Sequence, residues 1–415
     1  MLHPKPTPER RPVSDESGRD EGFSRAPAEP RSFAPRAAPL PSPATLDGLL
    51  PQAWDRIDPR AVIRVAEAPQ PSLSAEEQAA RRALIVIPCL NEEKVIAGVI
   101  EQILADDGLV DPLVLVADGG SSDCSREIVA AIAARDPRVR LMPNPGKLQS
   151  AGMNLAAAAM AGDRPWLVRV DAHADYPPNY ASTLIAEARR TGADSVVVSM
   201  DTRGEAPFQQ AVAVAQNSVL GTGGSAHRLA TEGHWVDHGH HALFSVDAYR
   251  AVGGYDESFS HNEDAELDLR LAKQGRKIWL TDKIRIGYHP RSTPKALAKQ
   301  YFSYGKGRAR TVLKHYTPLK VRQALPLAVA PAVAGLALAP LWWVFAIPAL
   351  VWMAAALGYG AMLGVKRRDA TAAMSGPAAM IMHLAWSAGF WAQLFTWSRE
   401  RKDAPPAQLA AQAAS

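Results

Sequence analysis

Asp171 and His173 place a carboxylate and an imidazole two residues apart, directly after the short and mostly apolar run Leu167–Val170. The run predicts a buried strand of about five residues, and in open α/β sheets ligands bind beyond the carboxyl ends of the strands. Because side chains two apart lie on one side of a strand end, an oxygen and a nitrogen there could share a divalent metal that neutralises a diphosphate. The segment alone leaves a second interpretation open, in which the Asp closes a turn beside a solvent-exposed His.

A second group of carboxylates begins a predicted helix after the glycine turn Gly253–Asp256. Glu263 and Asp264 come first, and Glu266 and Asp268 follow. Acidic residues in a first helical turn are ordinary capping, but this is more negative charge than capping needs. A carboxylate at a helix N-terminus stays ionised at neutral pH, as a general base must. Capping and general-base catalysis are both open interpretations at this point.

Asp118 ends another apolar run and is followed by Gly119 and Gly120, so the backbone there can approach a ligand closely. A carboxylate at this position can bind a base or a ribose hydroxyl, although the loop lacks the glycine spacing of a dinucleotide fingerprint or a P-loop. The alternative is that Asp118 is only a turn residue.

Four of the eleven histidines lie close together, at His234, His238, His240 and His241. Their spacing matches no standard zinc motif and cysteine is absent from the stretch, so a structural zinc site is not expected. A polar strand edge that faces a substrate cleft is the favoured interpretation, with His240 and His241 as candidate acceptor contacts.

The composition is that of a chain that can bury a large core and lie near a membrane. Hydrophobic residues make up 47% and charged residues 21% of the 415 residues. The net charge of +4 is mild and the basic residues form no stripe, so no nucleic-acid partner is expected, and an anionic membrane face suits the chain better. Cys89 and Cys124 are too few for a disulfide framework, and we expect reduced thiols in a cytosolic domain.

Strand-like and helix-like runs alternate over residues 81–290, which predicts an α/β domain built on a parallel, doubly wound sheet. Asn91 is expected to cap the helix after the first strand, and the runs 277–281 and 284–290 are expected to form two separate strands. Residues 1–80 are rich in Pro, Ala, Arg, Ser and Glu without an apolar period, which predicts a disordered tail. The tail lacks the apolar core of a signal peptide, so the domain after it is expected to stay cytoplasmic.

The chain from residue 291 onwards is expected to approach and enter a membrane. Residues 291–323 read as a basic juxtamembrane helical segment, and residues 324–398 hold two or three hydrophobic segments, enough for spans of about 20 residues each. Basic residues before 324 and at 366–368 favour a hairpin with both ends in the cytoplasm. A third full span would put the basic start of the short polar tail 399–415 outside, so the number of spans stays open.

Six segments, in order, resemble the inverting family 2 glycosyltransferases of the GT-A fold. They lie within residues 83–289 and read VIPCLNEE, VADGGSSD, GKLQSAGMNLA, RVDAHADYP, GGYDESFSHNEDAELDLRL and KIWL. DAHADYP, VDHGHHALF and HNEDAELDLRL are especially similar to the branch of the family that acts in bacterial exopolysaccharide repeat-unit assembly, of which succinoglycan is an example. The resemblance implies an α/β fold with a GT-A type doubly wound mixed sheet, followed here by C-terminal transmembrane helices.

The resemblance also implies which residues bind the sugar nucleotide. Pro88, Glu92 and Asp118 match the positions that hold uracil and ribose. Lys147 matches the basic position near the nucleotide. Asp171 matches the first Asp of the family's Asp-x-Asp motif, and so belongs to both nucleotide-sugar binding and the metal site.

The metal site and the base follow from the same resemblance. His173 stands where the family has its second Asp, and His289 matches a histidine that completes the metal site in many GT-A enzymes. Oxygen ligands suit both Mg²⁺ and Mn²⁺, and imidazole tilts the site slightly towards Mn²⁺. Asp264 matches the catalytic base, with Glu263 beside it.

The acceptor side departs from part of the family. Processive members carry Gln-x-x-Arg-Trp after this domain, whereas this chain has Gln300–Tyr304 without Arg-Trp, so we expect transfer of a single sugar and no polymer synthesis. Lys306, Arg308 and Arg310 are candidate contacts for the diphosphate of the acceptor, and Arg308 joins His240 and His241 as a candidate acceptor contact. A solvated basic run beside a membrane is the alternative for Arg308.

Together with the hydrophobic segments, the resemblance implies a membrane-anchored inverting hexosyltransferase whose catalytic domain faces the cytoplasm at a bacterial inner membrane. It implies transfer of glucose from UDP-glucose, as a β-linkage, to a polyprenyl-diphosphate-linked saccharide, alongside other exopolysaccharide assembly enzymes. Two alternatives stay open. They are transfer onto polyprenyl phosphate itself, and a non-catalytic nucleotide-sugar-binding subunit of a polysaccharide export complex.

Overall fold

The computed structural model describes residues 73–223, 232–319 and 321–403. Residues 1–72 of the predicted tail lie outside the described residues, and the first described helix begins at Ala75. Ser74 caps helix α1 (Ala75–Ala79), its hydroxyl accepting a hydrogen bond from the Glu77 amide at 3.1 Å. Arg189 donates to the Glu77 carboxylate at 2.7 Å. The folded domain therefore begins before the predicted boundary at residue 81, because this helix is fastened to the domain by its own ion pair.

Eight described strands form one mixed sheet in the spatial order β3-β2-β1-β4-β7-β5-β8-β6. The strands are β1 (Ala83–Cys89), β2 (Leu113–Asp118), β3 (Val139–Pro143), β4 (Trp166–Arg169), β5 (Ser195–Thr202), β6 (His234–Val236), β7 (His240–Ser245) and β8 (Ile278–Tyr288). Six of them run in one direction, while β6 and β7 run antiparallel to their neighbours. This confirms the doubly wound mixed sheet that the resemblance implies, whereas the wholly parallel sheet predicted from the alternation is wrong at β6 and β7. The carboxyl ends of the parallel strands meet at one edge.

Helices cover both faces of the sheet, and each face has its own hydrophobic core. The helices are α2 (Ile96–Leu104), α3 (Ser125–Ala133), α4 (Gln149–Met160), α5 (Tyr180–Thr191), α6 (Pro207–Gln216), α7 (Val219–Thr222), α8 (Val246–Ala251) and α9 (Glu263–Lys273). Because successive residues of a strand point to opposite faces, Ile85 and Ile87 of β1 join one core, and Leu84 and Val86 join the other. All four side chains are fully buried, so β1 lies at the centre of the domain.

Two local predictions are wrong. The two runs predicted as separate strands form the single strand β8, whose register with β5 shifts between Val198 and Ser199, so the extra residues bulge without ending the strand. Asn91 does not cap α2, whose N-cap residue is Val95. The Asn91 backbone is left-handed (φ 59°), and the Asn91 side-chain oxygen accepts a hydrogen bond from the Ser122 amide at 2.8 Å. Asn91 instead ties the loop after β1 to the loop after β2.

A helical region follows the sheet domain. Its helices are α10 (Pro294–His315), α11 (Val321–Leu327), α12 (Val329–Gly335), α13 (Ile347–Arg367), α14 (Ala370–Ala373) and α15 (Ser375–Asp403). Within the described residues one helical stretch, Trp343–Arg367, is long and apolar enough to cross a membrane, with a mean hydropathy of 1.7, and the apolar stretch Gln323–Leu338 is shorter. The structure thus offers one candidate span where the sequence predicts two or three segments. It qualifies by length and composition only, a test that core helices of soluble proteins also pass.

The proline in α12 leaves a backbone carbonyl without its helical donor, and α15 supplies replacements. Pro331 has no amide hydrogen, so the Leu327 carbonyl loses the usual bond from four residues further on. Its oxygen accepts a hydrogen bond from the Ser387 hydroxyl at 2.8 Å and another from the Trp391 indole at 2.9 Å. Since a buried unpaired carbonyl costs about 1–3 kcal/mol, these two side chains stabilise the packing of α11 and α12 on α15.

The glycine turn before α9 supplies a matched pair of substitutions. Gly253 and Gly254 both have left-handed backbones (φ 80° and 70°), which strain any other residue. Of the two, only Gly254 has a close neighbour, because a Cβ there would overlap the amide oxygen of Asn154, which itself accepts from the Tyr255 amide at 2.8 Å. Gly254→Ala is therefore expected to lower Tm by several degrees more than Gly253→Ala in thermal unfolding in detergent. Equal losses for the two variants would contradict the close packing at Gly254.

Candidate active site

A buried arginine joins two carboxylates at the carboxyl end of β4. Arg169 is the last residue of that strand and is 6% exposed. Its Nε donates to Asp171 Oδ1 at 3.0 Å, and its Nη1 donates to Asp264 Oδ1 at 2.8 Å. Burial lowers the pKa of Arg169, but the two carboxylates outweigh burial and hold its pKa well above the usual value. The predicted metal ligand Asp171 and the predicted base Asp264 therefore lie on either side of a permanent positive charge.

Asp264 is also held by a tyrosine at the end of the glycine turn. Tyr255 Oη donates to Asp264 Oδ1 at 2.8 Å, to the same oxygen that Arg169 binds. Asn154 in α4 in turn fixes the tyrosine, because Asn154 Oδ1 accepts from the Tyr255 amide at 2.8 Å and from Tyr249 Oη at 2.6 Å. The orientation of the Asp264 carboxylate is thus set from two directions, by strand β4 and by the turn before α9.

Glu263 lies beside Asp264 at the first position of α9. Burial and the Asp264 carboxylate raise the pKa of Glu263 to about 7, while the charge of Arg169 opposes this shift. The preceding residue, Asn262, has a left-handed backbone (φ 67°) and donates to Thr311 Oγ1 of α10 at 2.8 Å. Helix α10 thus fixes the start of the helix that carries both predicted catalytic carboxylates.

A buried ionic cluster fastens α9 to α10 one turn further along. Glu266 is fully buried, accepts from Lys314 Nζ at 2.7 Å and lies 2.9 Å from His315 Nε2. Arg270 Nη2 donates to the same carboxylate at 2.6 Å. Burial raises the pKa of Glu266, but the hydrogen bonds from these partners outweigh burial and hold the pKa far below the usual value. The carboxylate therefore stays ionised and keeps the two helices together.

Asp171 faces a histidine of β7 on its other side. His240 Nε2 lies 3.6 Å from Asp171 Oδ2. Burial raises the pKa of Asp171, but the charges of Arg169 and His240 outweigh burial and lower it overall. The sequence predicts His240 as an acceptor contact, and the structure places it against the Asp of the metal motif. The side chain of His241, the neighbouring candidate, lies outside the described residues.

The three residues predicted as metal ligands are not gathered into one ligand group. His173 Nδ1 lies 3.0 Å from Glu92 Oε1, and His289 Nε2 lies 3.2 Å from Asp175 Oδ2. In the part of the chain that the structure describes, no three or more His, Cys, Asp or Glu side chains are arranged to hold a metal ion. Asp171 and His173 still fit a divalent metal by their chemistry, because such sites often use one or two protein ligands and take the rest from substrate phosphates.

A cavity of about 420 Å³ opens beside the carboxyl ends of β2 and β3. It is lined by Asp118, Gly119, Gly120, Arg126, Leu141, Pro143, Asn144, Pro145 and Lys147. This volume lies within the range of small-molecule sites. Asp118 also builds the turn, because it accepts from the Gly120 amide at 2.9 Å. Two of the predicted nucleotide contacts, Asp118 and Lys147, therefore share one cavity, whereas Pro88 and Glu92 do not line it.

The sequence prediction missed three side chains of this region, Arg169, Tyr255 and Arg126. Arg169 carried a usable signal, because a charged residue inside an apolar strand needs a partner once the strand is buried. Arg126 of α3 has its Nε 3.8 Å from Asp118 Oδ2, and Tyr255 follows a pair of glycines. Neither residue lies in a local sequence pattern that marks a site. Arg308, the remaining predicted acceptor contact, lies half-buried on α10.

The sheet domain has the GT-A fold, as a comparison with a solved structure shows. The mannosyltransferase PcManGT from Pyrobaculum calidifontis, solved in complex with GDP-Man and Mn²⁺, superposes on the chain with a TM-score of 0.51. The match has 18% sequence identity and covers 76% of this chain and 87% of that one. At this identity the likeness establishes the fold.

The chain belongs to glycosyltransferase family 2. The sequence profile of Glycosyl transferase family 2 matches residues 84–253, and that of Glycosyl transferase family group 2 matches residues 225–391. The chain is 50% identical over 327 residues to the succinoglycan biosynthesis protein ExoA of Rhizobium meliloti (strain 1021), covering 79% of this chain and 99% of ExoA. This confirms the predicted family and the enzyme class.

A more distant relative comes from Methanococcus voltae. The chain is 23% identical over 244 residues to the dolichyl N-acetyl-alpha-D-glucosaminyl phosphate 3-beta-D-2,3-diacetamido-2,3-dideoxy-beta-D-glucuronosyltransferase of Methanococcus voltae. The match covers 56% of this chain and 74% of the relative. Both curated relatives are thus matched over most of their own length.

The raised pKa of Glu263 makes stability depend on pH in a defined direction. Its folded-state pKa of about 7 lies above the usual 4.5, so the fold favours the protonated acid. Ionisation therefore removes stability as the pH rises from about 4.5 to about 7, and the loss persists at higher pH. Glu263→Gln, which mimics the protonated acid, is expected to raise Tm at about pH 8 and to leave it nearly unchanged at about pH 4.5.

The matched control for this prediction is Glu127→Gln. Glu127 is an exposed carboxylate that also lies in the first turn of a helix, α3, so its replacement is expected to change Tm little at either pH. Thermal unfolding of the three proteins in detergent at the two pH values measures the difference. If Glu263→Gln does not raise Tm at about pH 8, or raises it equally at both pH values, the raised pKa of Glu263 is contradicted.

Proposed function

We propose that the chain transfers one glucose from UDP-glucose, with inversion, to a polyprenyl-diphosphate-linked saccharide during assembly of an exopolysaccharide repeat unit. The observation that carries the proposal is the 50% identity to the succinoglycan biosynthesis protein ExoA over 99% of that protein. The edge of the sheet supports it, with a cavity of about 420 Å³, a half-buried Asp171 on the donor side and a carboxylate pair at the start of α9.

The donor nucleotide is proposed to bind in the cavity beside β2 and β3. The Asp118 carboxylate can accept hydrogen bonds from the base or the ribose, and Lys147 and Arg126 offer positive charge to the diphosphate from the same cavity. Pro88 and Glu92 are proposed to complete this site from the end of β1, which pairs with β2 in parallel. This arrangement is what the resemblance to family 2 implies for these positions.

A divalent metal, Mn²⁺ or Mg²⁺, is proposed to bind at Asp171 and His173, with His289 as a further candidate ligand. When bound, it would offset the negative charge of the departing UDP diphosphate. The imidazole of His173 tilts the preference slightly towards Mn²⁺. PcManGT, which shares the fold, was solved with Mn²⁺.

Asp264 is proposed to take the proton of the acceptor hydroxyl while that oxygen attacks the anomeric carbon from the side opposite to UDP. A single displacement converts an α-linked donor into a β-linked product, so no second carboxylate is needed as a nucleophile. Arg169 and Tyr255 support this role because both bind Oδ1 of Asp264 and orient the carboxylate. Glu263, with a pKa of about 7, places a second titrating group next to the base.

The acceptor is proposed to lie between β7 and α10, with His240 and Arg308 among its contacts. The segment that carries Gln-x-x-Arg-Trp in processive members is Gln300–Tyr304 in this chain. Gln300 Nε2 donates to Tyr288 Oη at 2.9 Å and to Tyr304 Oη at 3.0 Å. An amide held among tyrosines, without Arg-Trp after it, supports transfer of a single sugar.

The apolar stretch Trp343–Arg367 is proposed to anchor the catalytic domain on the cytoplasmic side of a bacterial inner membrane, near other exopolysaccharide assembly enzymes. Only 17% of its apolar window is buried within the protein. Val351 and Val365 are 62% and 80% exposed, which is unfavourable in water and suits contact with lipid. Basic residues close the stretch at Lys366 and Arg367, as is typical of a cytoplasmic end. Because the catalytic domain precedes the stretch, this orientation requires the predicted hairpin, with the shorter apolar stretch Gln323–Leu338 proposed as its first arm.

UDP release by the purified protein in detergent tests the proposal. UDP-glucose, a lipid-linked saccharide acceptor and Mn²⁺ are supplied, and other UDP-sugars and Mg²⁺ serve as comparisons. We expect release that needs the acceptor and is highest with UDP-glucose. Asp264→Asn removes the proton acceptor without changing the size of the side chain, so kcat is expected to fall roughly 10²–10⁴-fold while donor binding is retained.

Asp247→Asn is the matched control, because Asp247 is an exposed aspartate that also lies in the first turn of a helix, α8. It is expected to keep wild-type turnover. Normal turnover by Asp264→Asn would contradict the assignment of the base. Donor binding without transfer to any lipid-linked acceptor would favour a non-catalytic binding subunit, and transfer to polyprenyl phosphate alone would favour the other alternative.

A further inference from the structure

We propose that Arg169 is a positioning residue that links the donor side of the site to the acceptor side. It holds Asp264 in place and competes with a divalent cation for Asp171. The inference rests on the proposed function, because it takes Asp264 as the base and Asp171 as a metal ligand. It assigns a role to a side chain that belongs to neither of those groups.

The guanidinium reaches the two carboxylates with different nitrogen atoms. Nε and Nη2 lie 3.0 and 3.5 Å from the two oxygens of Asp171, and Nη1 donates to Asp264 Oδ1 at 2.8 Å. The guanidinium is planar, so its nitrogens keep fixed directions, whereas a lysine ammonium is a compact point charge on a flexible stem. Arg169 therefore fixes both the separation and the relative orientation of the two carboxylates.

The same guanidinium belongs to a closed hydrogen-bonded triangle. Nη1 lies 3.3 Å from Tyr255 Oη, which itself donates to Asp264 Oδ1 at 2.8 Å. Arg169 is 6% exposed, so water has little access to its head group. A buried charge in this position needs its partners, and those partners are the groups assigned to the reaction.

The local charge explains why this link matters for cation binding. Asp171, Glu263 and Asp264 bring three carboxylates against the one guanidinium of Arg169. A divalent cation that binds Asp171 must compete with the Arg169 guanidinium for the carboxylate, and the positive charge of that guanidinium repels the cation. Removing the guanidinium is therefore expected to strengthen cation binding while it releases Asp264 from its fixed orientation. A merely structural role predicts a loss of stability without these two opposite effects.

Two measurements on the purified full chain in detergent separate the effects. Mn²⁺ titration followed by EPR in the absence of donor reports the cation affinity. Acceptor-dependent UDP release reports kcat and the KM for UDP-glucose. For Arg169→Gln we expect Mn²⁺ to bind on the order of tenfold more tightly and kcat to fall roughly 10²-fold, with no rise in the KM for UDP-glucose.

Tyr255→Phe is the matched variant, because the Tyr255 phenol donates to Asp264 and not to Asp171. It is expected to lower kcat and to leave the Mn²⁺ affinity unchanged. Arg169→Lys keeps the positive charge but lacks the planar guanidinium that binds both carboxylates at once. We therefore expect kcat to fall while the Mn²⁺ affinity stays near the wild-type value. Arg138→Gln removes an arginine that pairs with Asp136 on the surface and is expected to change neither quantity.

Wild-type kcat in Arg169→Gln, or a Mn²⁺ affinity that is unchanged or weaker, would overturn the inference. If Arg169→Gln does not fold, Arg169→Lys carries the test, and wild-type kcat in that enzyme would overturn it equally. Failure of the proposed function gives a different result, because the wild-type protein would then show no acceptor-dependent UDP release. The Mn²⁺ titrations would still decide whether Arg169 competes at Asp171, and absence of Mn²⁺ binding in all variants would decide against it.

Discussion

The buried guanidinium of Arg169 is the constraint on which the site depends, because a charge removed from water must be paired to be tolerated. Its partners come from the end of β4 and from the start of α9, and they are Asp171 and Asp264. One planar guanidinium between them sets the separation of the two carboxylates that we propose as the metal ligand and the base. A single ion-pair cluster thus both pairs a buried charge and fixes the relative position of the two carboxylates.

The surrounding fold keeps this cluster in place from two directions. β7 enters the sheet antiparallel between β4 and β5 and brings His240 to Asp171. α10 holds the start of α9 through the hydrogen bond from Asn262 to Thr311 and through the ionic cluster at Glu266. Because α10 also packs along α15, helix α9 is connected by continuous helix packing to the apolar C-terminal region.

Local sequence patterns predicted those features that are decided locally. Apolar runs predicted the strands, and the polar residues after β2 and β4 predicted the edge where the site lies. The partners of Arg169 could not be predicted, because they depend on which strands are neighbours and on how α9 docks, and no local pattern shows either. For the same reason His173 and His289 match motif positions, yet each lies beside a carboxylate of another segment. Hydropathy predicted two or three apolar segments, and the structure offers one candidate span by length and composition, so the number of spans stays a prediction.

The stereochemistry of the product tests most directly whether transfer proceeds by a single displacement at one base. Proton NMR of the glycolipid made from UDP-glucose by the purified protein reports the anomeric configuration of the new linkage. A β-linked glucose is expected, because the acceptor oxygen attacks opposite to the α-linked UDP. An α-linked glucose would contradict this mechanism, since retention cannot result from one inverting displacement with Asp264 as the base.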